Sequence, residues 1–245
     1  MTKSTVGFSR EDAFLILNGM QGVGPVMMRR LLERFNEDPV SVLHSSEAEL
    51  MSVKGVGKKA TSGIQGWSDG NWLELERGRI AKHGARFITV EDGDYPQALL
   101  ETFDPPIGLY CQGSPPREPC VAIVGTRQPT LYGQNMARRI ASGLANSGFC
   151  VVSGMARGID AAAHEGALES SGRTVAVFGC GLDVIYPPEH LNLYRRIVET
   201  GAVVSEFPFG RRADRQTFPM RNRVVAGMCV GVVVVESSAI GGSMI

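Results

Sequence analysis

Glycines, small hydroxyl residues and arginines recur at one kind of place in this sequence, directly after short β-branched runs, and together they have the chemistry of a phosphate site. After VAIV come Gly125, Thr126 and Arg127, and after CVV come Ser153, Gly154, Arg157, Gly158 and Asp160, leading into a helix-length segment. After VAVF come Gly179, Gly181 and Asp183. After AVVS come Glu206 and a loop with Arg211, Arg212 and Arg215 that runs on to Arg221, Asn222 and Arg223; after VVVV come Glu236 and then Gly241, Gly242 and Ser243. Glycine lets backbone approach a ligand closely, helix N-termini offer unpaired N–H groups, and the arginine fork grips two phosphate oxygens at once.

The spacing argues against a dinucleotide. GTRQPTLYG lacks the G-x-G-x-x-G run, and the second strand, FCVVSG, is not closed by an acidic residue; no Gly-Lys-Ser/Thr occurs either. No cofactor and no metal site are expected. Ser153, Asp160 and His164 can be drawn as a nucleophilic set, but a histidine among alanines serves as well to orient a loop, and no catalytic residue is assigned. Arg221 and Arg223, two apart, point to different sides of a helix. One is expected to face the crevice and the other to pair with a scaffold carboxylate.

The elements that must position these residues alternate strand and helix from RFITV at 86–90 onward, the pattern of a parallel sheet with helices on both faces. Five parallel strands are expected, with RFITV and GLYCQG adding to the edge, and ligands of such sheets bind beyond the strand carboxyl ends. Residues 1–83 instead repeat apolar positions at helical spacing. They carry an internal repeat: MQGVGPVMMRRLL at 20–32 matches VKGVGKKATSGI at 53–64. The repeat resembles a helix-hairpin-helix motif. Its second copy, Gly55, Gly57, Lys58 and Lys59, either meets a DNA phosphate or only packs the bundle, and Gly55 and Gly57 are both expected to hold backbone angles that a side chain would strain.

Charge is balanced, 25 Lys+Arg against 25 Asp+Glu, so no overall field draws in a polyanion. Every lysine lies before residue 83, and every later basic residue is an arginine. The five cysteines show no C-x-x-C spacing and read as reduced thiols of a cytoplasmic protein. The N-terminus has no signal-peptide core, and the longest nearly apolar run, 224–235, is too short to span a bilayer. No membrane association is expected.

DYPQALLETFDPPIGLYCQG, VAIVGTRQPTLYG, SGMARGIDAAAHEGAL, VFGCGLDVIYPPEH, SEFPFG and FPMRNRVVAGM, six motifs in order, resemble the DNA-processing protein A (Smf) family from about residue 10 to the last residue. The resemblance implies an α/β fold: an extended Rossmann-like domain, 84–245, preceded by a small all-α helix-hairpin-helix (SAM-like) domain, 1–83. It implies a non-enzymatic activity, binding and protecting single-stranded DNA and helping RecA recombinase load onto it in natural transformation. It places the DNA pocket on Gly125 to Arg127, Ser153 to Asp160, Gly179 to Asp183 and Arg221 to Arg223. Arg127 is then expected to meet a DNA phosphate, with a base able to stack on its guanidinium or on Phe207 or Phe209. Two departures stand out. His190, Leu191 and Asn192 replace basic residues of many relatives, and the sequence stops at GGSMI, before the family's last strand, helix and winged-helix module. The family's homodimer and recombinase contacts are attributed to that late region. The alternative is a nucleotide-binding or nucleotide-hydrolysing enzyme on a related fold, which would need a P-G-G-x-G-T stretch and a catalytic Glu that this sequence lacks.

Overall fold

The structure, a computed structural model, describes residues 8–20, 22–68 and 70–237. Gly241, Gly242 and Ser243 lie outside them. The chain divides into two compact units, Met1–Gly78 and Arg79–Ile245.

The first unit is helical: α1 (Arg10–Asn18), α2 (Pro25–Arg34), α3 (Pro39–His44), α4 (Glu47–Met51), α5 (Lys58–Gln65) and the start of α6 (Trp72–Lys82). Helices this short need their ends satisfied. Ser9 and Ser46 each close a capping box, with Asp12 and Glu49, and the Asp38 carboxylate accepts from Val40 and Ser41 N–H. Each such cap stabilises by about 0.5–2 kcal/mol. Phe14, Leu17, Met28, Leu31, Val42, Leu50 and Ile64 form the buried interior. The two Gly-Val-Gly turns link α1 to α2 and α4 to α5, and Arg30 of α2 donates to the Lys54 carbonyl, tying the first hairpin to the turn of the second.

The second unit carries β1 (Arg86–Thr89), α7 (Gln97–Leu100), β2 (Gly108–Gly113), β3 (Cys120–Val124), α8 (Leu131–Asn146), β4 (Cys150–Ser153), α9 (Ile159–Glu169), β5 (Thr174–Phe178), α10 (Leu191–Thr200), β6 (Ala202–Ser205), α11 (Thr217–Gly227) and β7 (Gly231–Val234). The described strands form one sheet in the order β1-β2-β6-β5-β4-β3-β7. β6, β5, β4, β3 and β7 are parallel, and β1 and β2 add to the edge as expected, paired antiparallel. Alternate residues go to opposite faces. Ile123 and Val151 pack with α8 and α9, whereas Ala122 and Val152 pack on the side of α7 and α11. With both faces covered, the strands read as continuous apolar runs. β4, β5 and β6 are added on one side of β3, and the chain then returns to lay β7 on its other side. That reversal is a topological switch point, where parallel sheets open a crevice at their carboxyl edge. All five cysteines are free, four of them buried. No helix among the described residues is long and apolar enough to cross a membrane.

The glycines of the repeat divide into two kinds. Gly22 and Gly55 have φ of +83° and +94°, in the left-handed region, while Gly24 and Gly57 are helix N-caps in extended backbone. The expectation that Gly57 needs glycine for its backbone angles is therefore corrected: its φ is −112° and the space a Cβ would fill is open. Gly55→Val is expected to destabilise the helical unit by at least about 1–2 kcal/mol, since a β-branched residue is poorly accommodated at positive φ. Gly57→Ala is expected to leave the thermal unfolding midpoint nearly unchanged. Calorimetry on both variants checks the distinction.

Candidate functional site

A cleft of about 600 Å³ opens at the switch point, between α11 and the carboxyl ends of β3 and β4. Val124, Val225, Ala226 and Val232 give it an apolar floor, and Arg127, Arg215 and Arg221 supply its cations. The exposed Arg127 guanidinium lies 4.8 Å from the centre of the Phe218 ring, an aromatic-cation stack at the mouth. Arg221 is different in kind: only 6% of it is exposed, its Nη1 donates to the Val177 carbonyl at 3.1 Å, and its Nε has no hydrogen-bond partner among the described residues. Burial pulls the Arg221 pKa below the ordinary arginine value; Asp160 opposes this and Arg127 adds to it. Burial likewise pushes the Asp160 carboxyl upward, against the pull of Arg221 and of the Ala156 and Gly154 N–H groups. Two guanidinium groups thus converge on a half-apolar cleft, and the carboxylate nearest the buried one is already engaged by backbone.

Gly125, Thr126, Arg127, Gly154, Asp160, Arg221 and Asn222 of the predicted set line this cleft. A Cβ on Gly154 would fall 1.3 Å from Arg221 Nη1, so glycine is what admits the buried arginine. The remaining predicted residues do other work. Ser153 is buried and donates to the Ile123 carbonyl. Arg157 pairs with Glu189 at 2.5 Å. Gly158, at φ +81°, packs against Thr126, and Gly179 borders a small side recess. Gly181 donates to the Arg211 carbonyl, and the Asp183 carboxylate accepts from Gly210 N–H. Arg223 is bound to the Glu206 carboxylate and the Asp104 carbonyl, the scaffold pairing expected for one of the two arginines. Phe207 and Phe209 are 8% and 4% exposed, with Phe209 packed edge-on against Tyr110, so neither offers a stacking face. Phe218 is the aromatic ring that lines the cleft. It shares a helix face with Arg221, Asn222 and Val225, spacing that FPMRNRVV carries once it is read as a helix.

The helix N-termini around the cleft are in part engaged within the fold. Thr130 caps α8 through Gly133 N–H, and the Glu236 carboxylate accepts from Thr130 N–H and Oγ1. At α9 the Ile159 N–H goes to the Thr126 carbonyl at 3.2 Å, and at α11 Asp214 accepts from Gln216 and Thr217. The cations that line the cleft are thus arginines, and the helix ends beside it are in part already engaged within the fold. A second cavity, of about 840 Å³, has Asp94 between Arg86 and Arg117, at 2.7 and 3.7 Å, so its arginines face a carboxylate of their own.

A family model described as DNA recombination-mediator protein A matches residues 86–245. The chain belongs to this family. Protein Smf of Synechocystis sp. is 38% identical over 247 residues, 97% of the chain and 61% of that protein. DNA processing protein DprA of Streptococcus pneumoniae is 36% identical over 178 residues, 71% of the chain and 63% of that protein. The chain thus spans less than two thirds of the length of these two relatives. Among solved structures, DNA processing protein A of Streptococcus pneumoniae matches with a TM-score of 0.77 at 28% identity, over 97% of the chain and 81% of that structure. The Helicobacter pylori protein, solved for its single-stranded DNA binding mode, matches with a TM-score of 0.58 at 34% identity, over 65% of the chain and 73% of that structure. A Rossmann-like sheet together with a helical part is the fold of this family.

The Ser153, Asp160 and His164 set is not assembled for catalysis. Thr174 Oγ1 donates to the Val151 carbonyl, so the buried His164 gives its Nδ1 proton to Thr174 at 2.6 Å, and its Nε2 has no partner among the described residues. Burial, reinforced by the charges of His190 and Arg221, lowers its pKa from 6.5 to about 3. The unfolded chain takes up that proton below pH 6.5 and the folded one refuses it until about 3. Stability linked to His164 is thus complete above pH 6.5 and declines as pH falls, by about 1.4 kcal/mol per pH unit inside the window. Asn at this position keeps a donor for Thr174 and cannot titrate. Urea unfolding of His164→Asn from pH 7 to pH 4 is expected to show a shallower decline than the native chain.

Proposed function

We propose that this protein binds single-stranded DNA in the arginine cleft and acts on incoming DNA in natural transformation. The observation that carries the reading is Arg221, a nearly excluded guanidinium with an unpaired Nε, placed with Arg127 on one cleft. Desolvation and like charge disfavour that pair, and a phosphate oxygen between them relieves both. The apolar floor and the Phe218 ring suit an unstacked base, which a duplex does not present. Family membership and the single-stranded DNA binding mode of the Helicobacter pylori relative support the same class of ligand. The reading is of a binding protein, not an enzyme, working in the cytoplasm. Its further parts, protection of the strand, delivery to RecA recombinase and a homodimer, rest on family membership. The assignment of residues 84–245 as the DNA-binding domain and 1–83 as the helix-hairpin-helix domain belongs to the same reading.

Within it, Gly125, Thr126, Arg127, Gly154, Arg221 and Asn222 meet the strand, and Asp160 holds the loop that carries Gly154. The helical unit adds a second contact: Lys58 and Lys59 are exposed at the start of α5, whose N-cap Gly57 supplies no side-chain acceptor.

Anisotropy titration with a labelled single strand, the matching duplex and free nucleotides tests the proposal. Single strand is expected to bind more tightly than duplex at equal salt, and free nucleotide weakly. Arg127→Ala is expected to cost about 1.5–3 kcal/mol of binding, as for a lost hydrogen bond to a charged group. Equal affinity for duplex and single strand, or a normally binding Arg127→Ala, overturns the cleft as the site. For the helical unit, Lys58→Ala with Lys59→Ala is expected to flatten the slope of log affinity against log salt by about 0.7 for each phosphate that is no longer neutralised. An unchanged slope assigns the hairpins to packing alone.

A further inference from the structure

The Arg127 side chain is exposed and, among the described residues, rests on the Phe218 ring without an ion pair, so its position depends on the loop that carries it. That loop, Gly125 to Thr130, joins β3 to α8, and both of its ends are held by one residue that follows β7. The β3–β7 ladder runs on beyond the strands: Val235 N–H donates to the Val124 carbonyl at 3.1 Å, and Thr126 N–H donates to the Glu236 carbonyl at 2.6 Å. At the far end the Glu236 side chain accepts from Thr130 N–H at 3.1 Å and from Thr130 Oγ1 at 2.9 Å. Glycines make room for it. A Cβ on Gly133 would lie 1.9 Å from Glu236 Oε2, and one on Gly125 would lie 2.7 Å from the Glu236 carbonyl. A carboxylate beside an arginine-lined cleft opposes an anionic ligand by charge, so its presence there calls for a structural return. Here the return is a clamp at the positive end of α8.

We propose that Glu236 is a positioning residue for Arg127: its carboxylate fixes the far end of the 125–130 loop and so holds the guanidinium over Phe218, ready for a phosphate. The inference rests on the reading that Arg127 meets DNA. Reach and charge make opposite demands on substitution. Glu236→Asp keeps the charge but shortens the side chain by one methylene, which withdraws the carboxylate from Thr130. Glu236→Gln keeps the reach and one acceptor oxygen while removing the charge.

The test measures single-strand affinity of the 245-residue chain by anisotropy for Glu236→Asp, Glu236→Gln, Arg127→Ala and the double variant Glu236→Asp with Arg127→Ala, with thermal unfolding of each. Glu236→Asp is expected to weaken binding roughly tenfold, as when a hydrogen bond to a charged group is removed, and Glu236→Gln to bind as the native chain or slightly better. In the double variant the Asp substitution is expected to add nothing to the loss from Arg127→Ala, whereas general loosening of the sheet would add its full effect. Native affinity for Glu236→Asp, equal weakening by Asp and Gln, or additivity in the double variant overturns the clamp. Native affinity for Arg127→Ala overturns the underlying DNA reading instead, and a Glu236→Asp chain that unfolds while Glu236→Gln does not would show a role in folding and also overturn the clamp.

Discussion

Burying the guanidinium of Arg221 is the constraint on which the cleft depends. A cation removed from water is costly unless opposing charge and hydrogen bonds accompany it. The chain supplies Asp160 as opposing charge and the Val177 carbonyl as acceptor, and among the described residues Nε has no partner. Accommodating that side chain dictates its surroundings: residue 154 must lack a Cβ, α11 must lie against the carboxyl ends of β4 and β5, and Phe218, one turn earlier on the same face, is brought to the mouth. The cleft is thus shaped around a group that folding alone does not satisfy.

Acidic and basic residues have separate tasks here. Asp160, Asp183, Asp214 and Glu236 accept backbone N–H groups of the loops that surround the cleft. Carboxylates suit that work because each oxygen takes more than one donor. The arginines divide further, with Arg157, Arg211 and Arg223 paired to Glu189, Asp214 and Glu206, and Arg127 and Arg221 turned to the cleft.

The helical unit follows a simpler logic. Its helices are too short to persist by propensity, and caps, two left-handed glycines and a shared apolar interior hold them. The repeat is real in conformation as well as in sequence, since Gly22 and Gly55 adopt the same region of φ and Gly24 and Gly57 the same capping role.

Elements and strand ends were legible in the sequence because they depend on local pattern: continuous apolar runs mark strands buried on both faces, and the residues that follow them must lie at the sheet's carboxyl edge. The divergence of Arg221 and Arg223 was legible for the same reason, as helical spacing separates their directions. Which strand-end residues line the cleft was decided only by the tertiary structure. Ser153 turned inward to Ile123, Asp183 went to Gly210, and Phe218 displaced Phe207 and Phe209 as the aromatic group. The helix N-termini show the cause most plainly: Thr130 looks free in its own segment, and the carboxylate that occupies it comes from Glu236, 106 residues away. Local spacing sets direction along an element, but a polar group's partner is whichever neighbour the strand order brings within hydrogen-bond reach, and that order placed β7 beside β3.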